Sequence, residues 1–261
     1  MAKKGYLYDG TLCIACRACQ VACKQWNELP AEKTTFFARE GGYQNPPDLS
    51  ITTWNLIEFT EKENNGKLEW LFRRRGCNHC TDAACIEACP VEPVKAMTRH
   101  PEYGFVYVNK DLCIGCGSCV EACPFKTPEV DDLLGKSCKC SACMDRLDNG
   151  KVTACVNTCP TGALQFNDRD KLVEKAHNRL KQLKAKGVTA FIYGEKELKG
   201  LGMIYILPGE LKDYNLPEKP QVSVHLREIE RLIKPYRDQG KLTPTVVKTA
   251  WASVKKRYNI A

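Results

Sequence analysis

Cys13, Cys16, Cys19 and Cys23 repeat a spacing seen again at Cys113, Cys116, Cys119 and Cys123: C-x2-C-x2-C-x3-C. Two looser runs complete the set, Cys77, Cys80, Cys85 and Cys89, then Cys140, Cys143, Cys155 and Cys159. Of the 17 cysteines only Cys138 stands outside these runs. Thiolates are soft ligands that suit zinc and iron–sulfur centres. A structural zinc site commonly takes cysteines in C-x2-C pairs from short loops. Three cysteines within seven residues, as at Cys13 to Cys19, instead wrap one face of an iron–sulfur cubane, with the fourth reaching a neighbouring cluster. Four runs supply thiolates for four 4Fe–4S clusters, and the chemistry they support is one-electron transfer.

Other uses of these cysteines fare worse. The count is odd, and a disulfide scaffold demands an oxidising compartment. A cysteine-rich zinc interaction protein is a competing reading, separable by analysis for zinc and acid-labile sulfide. A self-sufficient enzyme finds no support, because no nucleophile constellation or nucleotide-binding motif is present. The net charge of +8, from 39 basic and 31 acidic residues, would suit nucleic acid. Clusters give that charge a nearer use: each cubane with its thiolates adds roughly two negative charges, so four would cancel the excess. Arg17, Lys24, Arg73, Arg74, Arg75, Lys126, Lys139 and Arg146 all lie close in sequence to cysteines. Nucleic acid is therefore not an expected partner.

Elements must position these runs. Hydrophobic residues are 43% of 261, enough for a core. No stretch approaches the roughly 20 apolar residues of a membrane helix, so no transmembrane segment is expected. The opening Met1-Ala2-Lys3-Lys4-Gly5 lacks an apolar stretch behind it, so no export signal is expected on the chain. Residues 51–60 and 67–73 are β-rich and joined by Glu63-Asn64-Asn65-Gly66, which predicts a hairpin. Gly41-Gly42 and Asn45-Pro46-Pro47-Asp48 predict an irregular loop before it. Residues 103–108 predict a strand leading into the third run. A helix is expected from Asn167-Asp168 to about Lys186, with Leu172, Val173, Ala176, Leu180 and Leu183 on one face and Gly187 as its stop. Residues 188–193 and 203–207 read as strands. Ser223 opens a helix expected to break at Pro235, and Thr243-Pro244 starts a last basic helix ending near Tyr258. Leu226, Ile229, Leu232 and Ile233 form a stripe expected to pack on the protein itself or on a partner subunit. The expected fold class is α+β, with two ferredoxin-like two-cluster modules, an inserted β-hairpin and a helical C-terminal tail. Residues 1–50 with 138–167 make the first module, 51–137 the hairpin and second module, and 168–261 the C-terminal α/β and helical extension.

In a two-cluster module, three cysteines of one run and the last of its neighbour share a cluster. The second and third runs are close in sequence. Pairing them groups Cys77, Cys80 and Cys85 with Cys123, and Cys113, Cys116 and Cys119 with Cys89. The first and fourth runs then group Cys13, Cys16 and Cys19 with Cys159, and Cys140, Cys143 and Cys155 with Cys23. Proximity also allows the third run to pair with the fourth, so spacing leaves the order open. Pro90, Pro124 and Pro160 follow the last cysteine of their runs and push it towards extended backbone; the first run has Lys24 there. Cys140 keeps the C-x2-C spacing and is the expected ligand over Cys138. Gly115 and Gly117 flank Cys116, where glycine either lets backbone N–H groups approach sulfur or merely serves a loop. His79 is expected beside a cluster rather than on its iron; His100, His177 and His225 show no partner pattern.

The order of the four runs, with residues 155–163 (CVNTCPTGA) and 139–146 (KCSACMDR), resembles the four-cluster electron-transfer subunits of molybdopterin oxidoreductases. Residues 13–27 (CIACRACQVACKQWN), 44–50 (QNPPDLS) and 202–207 (GMIYIL) resemble most the beta subunit of formate dehydrogenase. The likeness spans about residues 5–220. It implies nested pairing of the runs and no catalysis by this chain. It implies a large catalytic partner with molybdenum or tungsten on two pyranopterins, where formate is oxidised or carbon dioxide reduced. The cluster of Cys13, Cys16 and Cys19 would lie nearer that partner. Residues 77–123 would lie nearer a further acceptor or donor: a cytochrome, ferredoxin, flavoprotein or quinone-linked subunit. Membrane-anchored members of the family carry a transmembrane helix beyond about residue 220. Here that region is charged, Val224-His225-Leu226-Arg227-Glu228-Ile229-Glu230-Arg231. Subunits of this type often cross the membrane on the catalytic subunit's signal, so a periplasmic location by co-export is expected, with the cytoplasm as the alternative. The same wire could instead serve a polysulfide, thiosulfate, sulfoxide or nitrite-type reductase, or a hydrogenase; the substrate turned over by a co-purifying partner would tell these apart.

Overall fold

The computed structural model describes residues 3–33 and 44–260. In chain order its elements are β1 (Lys4–Asp9), α1 (Ala18–Trp26), β2 (Asn55–Asn64), β3 (Lys67–Gly76), α2 (Ala84–Glu87), β4 (Met97–Arg99), β5 (Val106–Val108), α3 (Ser118–Ala122), β6 (Glu129–Asp131), β7 (Lys136–Cys138), α4 (Met144–Asp148), α5 (Ala154–Asn157), β8 (Leu164–Asp168), α6 (Arg169–Ala185), β9 (Ala190–Tyr193), β10 (Met203–Pro208), α7 (Leu226–Asp238) and α8 (Pro244–Tyr258). The mixture is α+β.

Among the strands the sequence does not predict, two belong to the largest sheet. β1 precedes the first cysteine run and β8 follows the fourth, and they pair antiparallel with Tyr6 opposite Phe166. β1 also pairs in parallel with β10, and β10 antiparallel with β9, giving the order β8-β1-β10-β9. Side chains alternate along these strands, as the pleat requires. Tyr6, Tyr8, Met203, Tyr205 and Leu207 face the cluster-bearing side. Leu7, Ile204 and Ile206 face α6, whose Leu172, Ala176 and Leu183 cover that face. The sheet therefore crosses residue 168, and the strands of the C-terminal extension are laid directly onto the first module.

α1 packs on α5 and α2 on α3, which joins the first run to the fourth and the second to the third. Each pair of runs carries its own pair of strands, β1 with β8 and β4 with β5. The strand expected over 103–108 forms only at Val106–Val108, against the unpredicted β4. α1 runs on through Lys24 to Trp26, whereas α2, α3 and α5 stop before a Cys-Pro pair. Lysine at that position keeps the N–H and freedom of φ that proline removes.

The expected hairpin is β2–β3, turning at Asn65 (φ 52°) and Gly66 (φ 75°). Positive φ at both central residues is the primed turn that matches strand twist. Asn45 to Asp48 lie in the expected irregular segment, and Gly41-Gly42 fall outside the described residues. α6 starts at Arg169 and is followed by Gly187 at φ 72°, as predicted. The break expected at Pro235 does not occur, because α7 continues to Asp238. Pro235 and Arg231 are exposed, so the carbonyl that loses its N–H partner faces water. α7 starts at Leu226 rather than at Ser223. Thr243 caps α8, its hydroxyl accepting from the Val246 N–H at 3.3 Å. Among the described residues no helix is long and apolar enough to cross a membrane.

Candidate iron–sulfur centres

Four groups of thiols face one another. Cys23 is pushed well up from the usual thiol range by burial, then by Cys140, Cys155 and Cys143 beside it. Burial raises Cys80 likewise, followed by Cys77, Cys123 and Cys85. Cys119 is pushed up to about 12 by burial, with Cys116, Cys113 and Cys89 adding to it. Burial also raises Cys13, which has Cys159 and Cys16 as neighbours. Thiols so placed hold thiolate charge only with a cationic centre between them. Cys13, Cys16, Cys19 and Cys159 line one cavity with Tyr8 and Arg74. Cys89, Cys113, Cys116 and Cys119 line another with Pro90 and Ser137. Among the described residues no three His, Cys, Asp or Glu side chains converge closely enough for a single metal ion. The thiols ring open space, as ligands of a multi-atom cluster must.

Within each module the two groups adjoin: Cys19 neighbours Cys155 in one, and Cys85 neighbours Cys119 in the other. Between the two modules stands Lys139, buried, its ammonium donating to the carbonyls of Val106 and Cys140 and lying near Cys85.

The loops that present the first two cysteines of each run share one backbone shape. Ala15, His79, Gly115 and Ala142, each two residues past the first cysteine, all have positive φ between 47° and 65°. This curl aims N–H groups at sulfur. Ala15, His79 and Ala142 donate to the Sγ of Cys13, Cys77 and Cys140 at 3.4 Å each. In the third run Ser137 N–H takes that role towards Cys113 at 3.3 Å. Such bonds stabilise thiolate charge and tune a cluster's potential. Gly115 is glycine for a second reason: an added Cβ would lie 2.4 Å from the Gly135 carbonyl oxygen.

The expected cations divide. Arg74, 2% exposed, lies beside Cys155, Cys140 and Cys19, and their charge holds its guanidinium protonated against the cost of burial. Its Nε and Nη1 have no hydrogen-bond partner among the described residues. An unpaired buried guanidinium is costly unless an anion meets it, and two cubanes placed at these thiols would. Arg73 and Arg75 instead pair with Glu58. Lys24 donates to the Thr52 and Pro30 carbonyls, and Arg146 lies 4.2 Å over the Trp26 ring. Sequence reasoning passed over Arg99 and Lys136, which donate to the carbonyls of Cys80 and Cys113 at 2.7 Å each. Only their place in β4 and β7 brings them there.

His79 is buried with its Nδ1 3.0 Å from the Val106 carbonyl, so that nitrogen carries the proton. Burial, then Lys139 and Arg74, hold its pKa well below the usual range. Cys138 is buried with Lys110 Nζ 3.2 Å from its sulfur. It alternates along β7 with Ser137, whose N–H and hydroxyl reach Cys113 and Cys119.

The fold and these loops define a dicluster iron–sulfur protein. Residues 12–92 and 68–169 each match a 4Fe-4S dicluster domain. Over 233 residues the chain is 39% identical to the formate dehydrogenase-O iron–sulfur subunit of Escherichia coli, covering 88% of this chain and 76% of that one. It is 38% identical over 244 residues to the nitrate-inducible formate dehydrogenase iron–sulfur subunit of the same organism, covering 92% and 81%. It is 33% identical over 216 residues to the formate dehydrogenase 2 subunit beta (cytochrome c-553) of Nitratidesulfovibrio vulgaris, covering 81% and 96%. The chain belongs to the iron–sulfur subunits of formate dehydrogenase, non-catalytic chains that carry electrons on 4Fe–4S clusters.

Proposed function

We propose that this chain holds four 4Fe–4S clusters and relays single electrons between a molybdenum- or tungsten-bis-pyranopterin formate dehydrogenase subunit and a further redox partner. The ligand sets are Cys13, Cys16, Cys19 and Cys159; Cys23, Cys140, Cys143 and Cys155; Cys77, Cys80, Cys85 and Cys123; and Cys89, Cys113, Cys116 and Cys119. The clusters supply the one-electron redox chemistry. The chain's own residues do the rest: N–H groups of the curled loops bond sulfur, Arg74 and Lys139 offset negative charge, and the tyrosine-rich core excludes water.

The observation that carries this reading is the arrangement of thiols. Residues more than a hundred positions apart, such as Cys13 and Cys159, close one ring around open space. Anaerobic purification together with a large catalytic subunit tests it. About sixteen iron and sixteen acid-labile sulfide beyond the large subunit's own cluster, in a complex that reduces a viologen dye with formate, is the expected result. Zinc without sulfide, or iron well below that count after reconstitution, overturns it.

A further inference from the structure

The C-terminal helices α7 and α8 lie outside the dicluster matches, which end at residue 169. Their apolar face is not free. Ile229, Ile233, Val247, Ala250, Trp251 and Val254 pack against Ala84, Ala88, Cys116 and Ala122. At the centre of this contact Trp251, 6% exposed, donates from Nε1 to the Ser118 hydroxyl at 2.8 Å. Ser118, fully buried, donates in turn to the Ala88 carbonyl at 2.8 Å.

The position of these partners matters. Ser118 stands between Cys116 and Cys119, while Ala88 directly precedes Cys89. One relay of two hydrogen bonds thus ties the loop of the third run to the cysteine that the second run contributes. Arg237 of α7 adds a bond to the carbonyl of Pro90, the residue after Cys89, at 3.4 Å. Lys255 of α8 pairs with Glu121, on the helix after Cys119, at 2.6 Å.

We propose that the C-terminal helix pair is a clamp on the cluster of Cys89, Cys113, Cys116 and Cys119, and that Trp251 is its positioning residue. The clamp holds the cross-run ligand in register and keeps Cys116 buried against Trp251. Burial disfavours the more negatively charged reduced state, so the clamp keeps this cluster's potential low. The inference rests on the ligand grouping proposed above.

The test is a redox titration followed by electron paramagnetic resonance on the intact complex, with Trp251→Phe, Trp251→Ala and Ser118→Ala. Trp251→Ala should raise the potential of one cluster of the four and speed its loss in air. Trp251→Phe keeps the ring and loses the N–H, so it should move the same cluster less. Adding Trp251→Phe to Ser118→Ala should change nothing further, because the relay is already cut. If Trp251→Ala fails to fold, the other two variants carry the test. Unmoved potentials, or all four moving together, overturn the clamp. A parallel pair, Cys116→Ala alone and with Cys89→Ala, separates the two readings: if neither loses iron, or the double variant loses about eight iron atoms, the grouping itself is wrong; if both lose about four while the Trp251 variants change nothing, only the clamp fails.

Discussion

In the module built by the first and fourth runs, Cys16 is exposed, as are Ile14 in the same loop and Val21 on α1, each 61% exposed. In the module built by the second and third runs every cysteine is buried or half-buried, and the C-terminal helices lie across it. Both modules use the same curled loop, two short helices and an antiparallel strand pair. What differs is the cover. The first of these modules, termed outer for its exposed loop and the other inner for its cover, has its sheet extended by β9 and β10 and backed by α6, yet leaves Cys16 and Ile14 in solvent. The inner module is closed by its own chain. In the proposed function, the outer loop is the face left for another protein to cover. The difference teaches that one ligand plan can be wired to different neighbours by what is packed around it.

The sharpest way to break this comparison is to ask whether the modules are interleaved as the helix pairs suggest. Cys23→Ser and Cys155→Ser should each remove one cluster, about four iron atoms, and the double variant should remove no more. Cys23→Ser with Cys19→Ser should remove two clusters. Iron and sulfide counts with low-temperature resonance spectra decide it; additive loss in the first pair would undo the interleaving. Next in size, Ile14→Asp should weaken association with the catalytic subunit by tenfold or more, since it sets a charge in an apolar contact (~1.4 kcal/mol per tenfold). Iron content should stay whole, and binding measured by interferometry on the reconstituted pair checks it. An effect of similar size is expected of Arg74→Met, which removes a buried cation worth roughly 1–4 kcal/mol to nearby charge. Both outer clusters should fall in potential by about 59 mV or more for one electron, with the inner pair unmoved in the same titration. Smallest is a paired substitution at matching loop positions. Gly115→Ala should cost about 1–3 kcal/mol through its clash and positive φ, whereas Ala15→Gly should change stability by about 1 kcal/mol or less. Chemical denaturation of the holoprotein reads both, and equal effects would show that the two loops are not constrained differently.

Much of this site was legible in the one-dimensional order of residues, and the reasons are local. Three cysteines in seven residues must curl around something larger than an ion. Prolines after Cys89, Cys123 and Cys159 end the short helices, and the exception at Lys24 appears as a longer α1. The hairpin at Asn65-Gly66 and the cap at Thr243 were equally plain, because turn and cap preferences act within four residues. β1 and β8 were not. Their residues are too short and mixed to declare a strand, and they form one because they find each other across more than 150 positions. Arg74 and Arg73 look alike in sequence; one faces thiols and the other Glu58, since neighbours on a strand point to opposite faces. Trp251 carried no signal beyond its hydrophobicity.

Spacing alone determined that this chain grips iron–sulfur clusters, how many thiolates are on offer and which cysteine stands apart, because ligand loops are short and their geometry is settled by residues next to one another. Spacing left open which runs face each other, which cations reach the thiols and what the tail covers, and the tertiary structure decided these. Those depend on contacts between segments far apart in the chain, and no local rule of backbone or side-chain preference reaches that distance.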